Sequence, residues 1–319
     1  MKLNIYILDN MKVLRRLAMG LFGNKKENKE EKNKTEKIGI LDVGGGMRDI
    51  YGAGIFDYLI EKEIEIPYCI GVSAGSANIA SYISKQKGRN FRFYEDYSFD
   101  KQYMSFKNYL KNGSYLDLDY IYGTLSNTDG KDAWNFEKAM ESKQEMVVVS
   151  SDANTGKPVY FSKKDYKKDD YGMLKSSSNV PIVNKAYKWR GYELYDGGVC
   201  DPIPYKKAFE DGCDKLIVIL TRPIDFKKKT KNARHFEKLR KQYPNFVEKL
   251  YSRCDLYNVQ LEDFKNNYVA KGKGFIVGPE NTFGIDTLTK NKEAMQKLYD
   301  EGYKDGKKIE DYWKENVEK

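Results

Sequence analysis

At 319 residues with 40% hydrophobic and 14% aromatic side chains, the chain has enough apolar surface to bury the core of one large domain. No apolar run approaches the roughly 18 residues of a membrane-spanning helix, and no signal peptide with a small-residue cleavage site is visible, so a cytoplasmic protein is expected. The net charge of +9 is uneven, with ten Lys/Arg against five Asp/Glu in 1–39 and nine against two in 221–243.

Residues 24–37 contain no apolar side chain, so ordering them gains no burial. Ahead of them, 11–22 mixes cations with large apolar residues as an interfacial helix does. A basic, flexible extension over 1–37 is expected, either a membrane contact or a tail without a role. The domain over 38–319 opens with Ile38-Gly-Ile-Leu-Asp-Val43, a short buried strand that ends in Gly44-Gly45-Gly46. Tyr51, Ile55, Tyr58 and Leu59 then fall on one face of a helix. Pro67-Tyr-Cys-Ile70 is the next strand, and Ser73 stands at its exit, followed by small residues at helical spacing: Ala74, Ala77, Ser81 and Ser84.

Residues 90–135 are rich in Tyr, Phe, Asp and Asn without a period, and read as an insertion over the sheet. Strands follow at Glu145–Ser151 and Pro158–Phe161, with Asn154-Thr-Gly156 as the turn between them. A hairpin over Lys188–Tyr195 leads into Asp196-Gly197-Gly198, a helix covers Pro204–Glu210, and Lys215–Thr221 is a further strand. Alternation of strands and helices predicts a three-layer α/β/α fold, a mostly parallel sheet with helices on both faces and a helical C-terminal part.

Gly71-Val72-Ser73-Ala74-Gly75 has the form of a nucleophile elbow, which holds a serine hydroxyl out on a tight strand-to-helix turn. A serine needs a base, and the chain's one histidine, His235, lies among cations where a solvated surface position is expected. A carboxylate then has to take the proton, and Asp196, with two glycines that leave room for close approach, is the leading candidate. Backbone N–H groups of Gly44, Gly45 and Gly46, at the start of a helix, are candidate oxyanion donors, with Arg48 adding positive charge. The glycine run does not complete a dinucleotide fingerprint, because Asp49 occupies its third glycine position. The cysteines, Cys69, Cys200, Cys213 and Cys254, form no CxxC pair and are expected to be reduced, without a zinc site or disulfides. Nucleic-acid binding is not expected, since neither basic segment contains a docking motif.

Gly44-Gly-Gly-Met-Arg48, Gly71-Val-Ser-Ala-Gly75 and Asp196-Gly-Gly198, in that order, resemble the patatin-like phospholipase family, in particular its bacterial cytoplasmic members. The resemblance covers about 38–222, with a weaker echo over 291–303. It implies Ser73 as nucleophile, Asp196 as the dyad aspartate, Gly44, Gly45, Gly46 and Arg48 as the oxyanion site, and hydrolysis of lipid acyl esters through an acyl-enzyme. No metal or organic cofactor is implied. Residues 173–187 are similar to a segment beside the acyl pocket in relatives. The family usually has glycine where this chain has Asp49. If that position needs φ > 0, Asp49 would be strained, and its charge would oppose an oxyanion. A catalytically weak, lipid-binding protein on anionic membranes is therefore the alternative expectation.

Overall fold

The computed structural model describes residues 36–230 and 234–317. The extension expected over 1–37 lies almost wholly outside the described residues. From Lys37 onward the chain forms one compact unit.

The first half of this unit alternates strands and helices. Strand β1 (Ile38–Asp42) leads through a 3-10 turn (Gly46–Asp49) into α1 (Ile50–Glu61), then β2 (Tyr68–Val72) and α2 (Ala74–Ile83). Short helices α3 (Arg89–Glu95) and α4 (Phe106–Asn112) and a π-helical turn (Tyr120–Thr124) lie in the aperiodic insertion, and α5 (Phe136–Glu141) follows it. The lack of a continuous helical period there reflects these breaks.

Strands β3 (Glu145–Asp152) and β4 (Lys157–Ser162) form a hairpin. Next come α6 (Gly172–Ser177) and the hairpin of β5 (Tyr187–Trp189) and β6 (Tyr192–Asp196). Helix α7 (Tyr205–Glu210) precedes β7 (Lys215–Ile219). The remainder is α8 (Glu237–Arg240), α9 (Pro244–Asn267), β8 (Gly274–Val277) and α10 (Lys292–Val317).

The sheet runs β5-β6-β3-β2-β1-β7-β8, with β4 also paired to β3. Strands β3, β2, β1, β7 and β8 are parallel, while β4, β5 and β6 add antiparallel pairings, so the sheet is mixed. Side chains alternate between two cores, as the strand period of two requires. Ile38, Ile40, Ile217 and Ile219 face a layer that includes Tyr51, Phe56, Met295 and Leu298. Leu41, Leu216 and Val218 face Tyr205, Tyr257, Leu261 and Phe264 on the opposite side. This is the three-layer α/β/α architecture.

One register decides where the chemistry lies. Strand β4 occupies one edge of β3 along 147–152, leaving the other edge for both β2 and β6. Val72 pairs with Val149, and Asp196 pairs with the next residue, Ser150. The two strands therefore meet end to end beside β3, and their termini carry Ser73 and Asp196 to one point.

Candidate active site

Ser73 has φ 56° and ψ −129°, a conformation outside the regions open to most L-residues. Such a residue costs on the order of 1–3 kcal/mol and persists only where the surroundings hold it. Close backbone packing does the holding. A Cβ on Gly71 would stand 2.6 Å from the Cα of Ser76, and one on Gly75 would stand 2.6 Å from the carbonyl oxygen of Asp42. The Ser73 N–H donates to Ser177 Oγ at 2.8 Å, and Ser177 in turn donates to the Val149 carbonyl at 2.6 Å. Ser177, on α6, was not singled out by the sequence, because a serine in a run of three serines carries no local signal.

The Ser73 hydroxyl faces the Asp196 carboxylate closely enough to favour its charged form, and that carboxylate accepts the Gly198 N–H at 2.8 Å. Burial pushes the Asp196 pKa above the ordinary carboxylate value, against the pull of Ser73 and of the Gly198 hydrogen bond. His235 is elsewhere: it lies exposed in the turn Arg234–Phe236, with its ring edge-on to Phe236.

The glycine loop curls over the elbow. Gly44, Gly45 and Gly46 all have positive φ, and a Cβ on Gly44 would stand 2.1 Å from the Val72 carbonyl oxygen. The Gly44 N–H is taken by Asp42 Oδ1 at 3.0 Å. Among the described residues no acceptor takes the N–H of Gly45 or Gly46.

Arg48 is 6% exposed, and its guanidinium bonds Asp286 and Thr287 rather than lining the cleft. The Met47 N–H donates to the Thr287 carbonyl at 3.0 Å, so a loop from the C-terminal part clasps the glycine loop from outside. Burial first, and then neighbouring Arg222, lowers the Arg48 pKa to about 10.

Asp49 departs from expectation on both counts. Its φ is −77°, so its backbone is unstrained, and its side chain is fully buried beneath the loop. It faces Asp42: a Cβ on Gly52 would touch both Asp49 Oδ1 and Asp42 Oδ2, at 2.6 and 2.7 Å. Burial, and then the charge of Asp42, pushes the Asp49 pKa well above the ordinary carboxylate value, which disfavours a negative charge at this position. Asn78 closes the arrangement, donating to Asp42 Oδ2 at 3.2 Å and to the Asp49 carbonyl at 3.0 Å.

Ser73 lies on the wall of a cleft of about 780 Å³, counting the space open to solvent. Phe93, Tyr103, Met104, Leu116, Ile121 and Leu288 make its lining largely apolar, and Ser178 and Val180, from the stretch expected near an acyl pocket, join it.

The patatin-like phospholipase family model matches residues 43–209, just over half of the chain. The chain belongs to the patatin-like phospholipase family. A second model, a domain of unknown function (DUF6363), matches 243–318, the part that holds α9, β8 and α10 and supplies Asp286, Thr287 and Leu288 to the site. Among curated proteins, the uncharacterized protein YjjU of Escherichia coli (strain K12) is 24% identical over 189 residues, 59% of this chain and 52% of that protein. The match thus spans about half the length of this relative. Among solved structures, VipD from Legionella pneumophila superposes with a TM-score of 0.48 at 12% identity, covering 87% of this chain and 67% of that one.

The basic segment 221–243 is not a bare cationic patch. Arg222 pairs with Asp286, Lys227 with Glu262, and Arg240 with Glu237 and Glu248. Among the described residues no helix is long and apolar enough to cross a membrane. The four cysteines are free, and Cys69, Cys200 and Cys213 are buried.

Proposed function

We propose that this patatin-family chain is a serine acyl hydrolase that cleaves fatty-acyl esters of lipids, phospholipids or lysophospholipids, through a Ser73–Asp196 dyad. The observation that carries the reading is the Ser73 hydroxyl on the wall of an apolar cleft, facing the half-buried carboxylate of Asp196. The raised proton affinity of Asp196 suits it to act as base, since a carboxylate of ordinary pKa is a weak acceptor for a hydroxyl proton.

In this mechanism Ser73 Oγ attacks the ester carbonyl carbon while its proton passes to Asp196. The carbonyl oxygen takes up the negative charge facing the N–H groups of Gly45 and Gly46, which carry the oxyanion role expected for the glycine loop. Gly44 and Arg48 support the loop, through the Asp42 and Asp286 contacts. The C–O bond to the alcohol breaks, and the alcohol leaves with the proton from Asp196. Water then attacks acyl-Ser73 while Asp196 takes its proton, and as the acyl C–O bond breaks Asp196 returns that proton to Ser73 Oγ, giving the fatty acid and free Ser73. No metal or organic cofactor enters these steps. The reading includes a cytoplasmic location, supported by the free thiols, with peripheral contact to anionic membrane.

Turnover of a p-nitrophenyl acyl ester by wild type, Ser73→Ala and Asp196→Asn tests the dyad. Each substitution is expected to abolish most turnover, without additivity in the double variant. A fluorophosphonate probe should label Ser73 in the wild type only. Full turnover by either single variant would rule the dyad out.

A further inference from the structure

Eight large apolar side chains stand exposed among the described residues, and four of them, Phe99, Phe106, Tyr109 and Leu110, fall within one short stretch. Three lie on α4, at the i, i+3 and i+4 spacing that places them on one face, and are 66%, 42% and 73% exposed. The helix is not frayed. Ser105 caps it, accepting the Asn108 N–H at 3.2 Å, and Gly113, at φ 70°, ends it. The chain thus forms a well-ended helix whose apolar face points into solvent.

Charge narrows what covers that face. Lys101, Lys107 and Lys111 are exposed around it, and residues 101–116 contain no Asp or Glu. Among the described residues no carboxylate pairs with these lysines. Lysine is depleted from protein–protein interface cores, whereas lysine stems laid beside aromatic and leucine side chains suit the headgroup layer of a membrane.

Position gives the face a purpose. The bridge Met104↔Leu116 closes the base of the α4 loop, and Tyr103, Met104 and Leu116 also line the cleft. The wall of the cleft and the exposed apolar helix are therefore one continuous segment.

We propose that residues 99–111 dock the protein on an anionic lipid bilayer, with Phe106, Tyr109 and Leu110 buried at the headgroup–acyl boundary and Lys101, Lys107 and Lys111 on anionic headgroups. This rests on the lipid-ester reading for its purpose, because the docked helix opens the cleft toward the membrane that holds the substrate. As a contact it stands on the exposed face alone.

The test uses the full chain with phosphatidylcholine vesicles, with and without phosphatidylglycerol. Wild type and Ser73→Ala should bind the phosphatidylglycerol vesicles equally. Phe106→Ser/Leu110→Ser should weaken that binding by roughly tenfold or more, given the apolar area withdrawn from the boundary. Lys107→Glu/Lys111→Glu should weaken it comparably and reduce its salt dependence. Both double variants should hydrolyse a short soluble ester at the wild-type rate, since neither pair lines the cleft.

Wild-type vesicle binding by the serine double variant would overturn the proposal. So would a concentration-dependent dimer that this variant dissolves while vesicle binding is unchanged, which would assign the face to a second copy of the chain. Failure of the dyad reading would leave a distinct signature: Ser73→Ala would keep ester turnover, while the α4 variants would still lose the vesicles.

Discussion

The backbone N–H of Ser73 donates to the hydroxyl of Ser177 at 2.8 Å, which helps to hold the strained turn. Ser177 also donates to the Val149 carbonyl of β3 and contacts the Ser76 hydroxyl at 3.0 Å. Removing its hydroxyl leaves a donor and an acceptor unpaired in a buried place, which costs roughly 1–3 kcal/mol. Ser177→Ala should therefore lower the unfolding free energy by that amount, and the urea midpoint with it. It should also depress kcat more than it raises KM, because it frees the serine rather than the cleft. Unchanged kcat in a destabilised variant would assign Ser177 to the fold alone.

Asp196 gives a paired expectation for pH. Burial raises its folded pKa above the ordinary carboxylate value near ~4. The base has to be ionised to accept the Ser73 proton, so the acid limb of kcat/KM should fall above that ordinary value. Between the unfolded and folded pKa values the folded protein holds the proton more tightly, so stability falls as pH rises through this window. Asp196→Asn keeps an oxygen for the Gly198 N–H but removes the buried charge. It should be nearly inactive yet more stable than wild type at neutral pH, with the difference shrinking toward acid pH. Equal stability at both pH values would contradict the raised pKa.

The Asp42–Asp49 pair makes a separate claim about the loop. Two carboxyls share a dry site, with Asp42 bonded to the Gly44 N–H and to Asn78. Both pKa values are raised, burial being the first cause for each, so protons bind more tightly in the folded state. Wild-type stability should fall as pH rises above the ordinary carboxylate range, and Asp49→Asn should flatten that fall while keeping ester turnover. Unfolding midpoints of the two proteins across acid to neutral pH decide it. Parallel curves would mean that Asp49 is ionised in the folded chain.

Much of the fold was legible because its signals are local. Ile38–Asp42 and Lys215–Ile219 are apolar runs bounded by turns, and the small residues after Ser73 mark a helix that packs closely. The dyad candidates were legible as types, a serine between glycines and an aspartate before glycines. Their meeting was not, since it depends on β2 and β6 sharing one edge of β3, a register set by residues far apart in sequence. The clasp of Asp286 and Thr287 on the glycine loop has the same long-range origin. The setting of Asp49 was not legible, because the sequence does not show that the 3-10 turn sends Arg48 toward Asp286 and Asp49 toward Asp42. Strand β8 is four residues beginning with glycine, too short to show a period.

Helix α10 carries the last prediction, because it crosses α1 on glycines. A Cβ on Gly302 would stand 2.0 Å from the Tyr51 carbonyl oxygen, and one on Gly54 would stand 2.2 Å from that of Tyr299. Both obstacles are backbone and cannot swing aside. At an exposed helical site, glycine to alanine gains about 1 kcal/mol from propensity. Here overpacking should outweigh that gain and destabilise the fold by roughly 1–3 kcal/mol. Helix α1 follows directly from the 3-10 turn that carries Arg48 and Asp49, so a shifted α1 should disturb the glycine loop as well. Gly302→Ala is therefore expected to lower both the unfolding midpoint and the rate of Ser73 labelling by a fluorophosphonate. A stabilised Gly302→Ala protein would show that the two helices do not cross this closely.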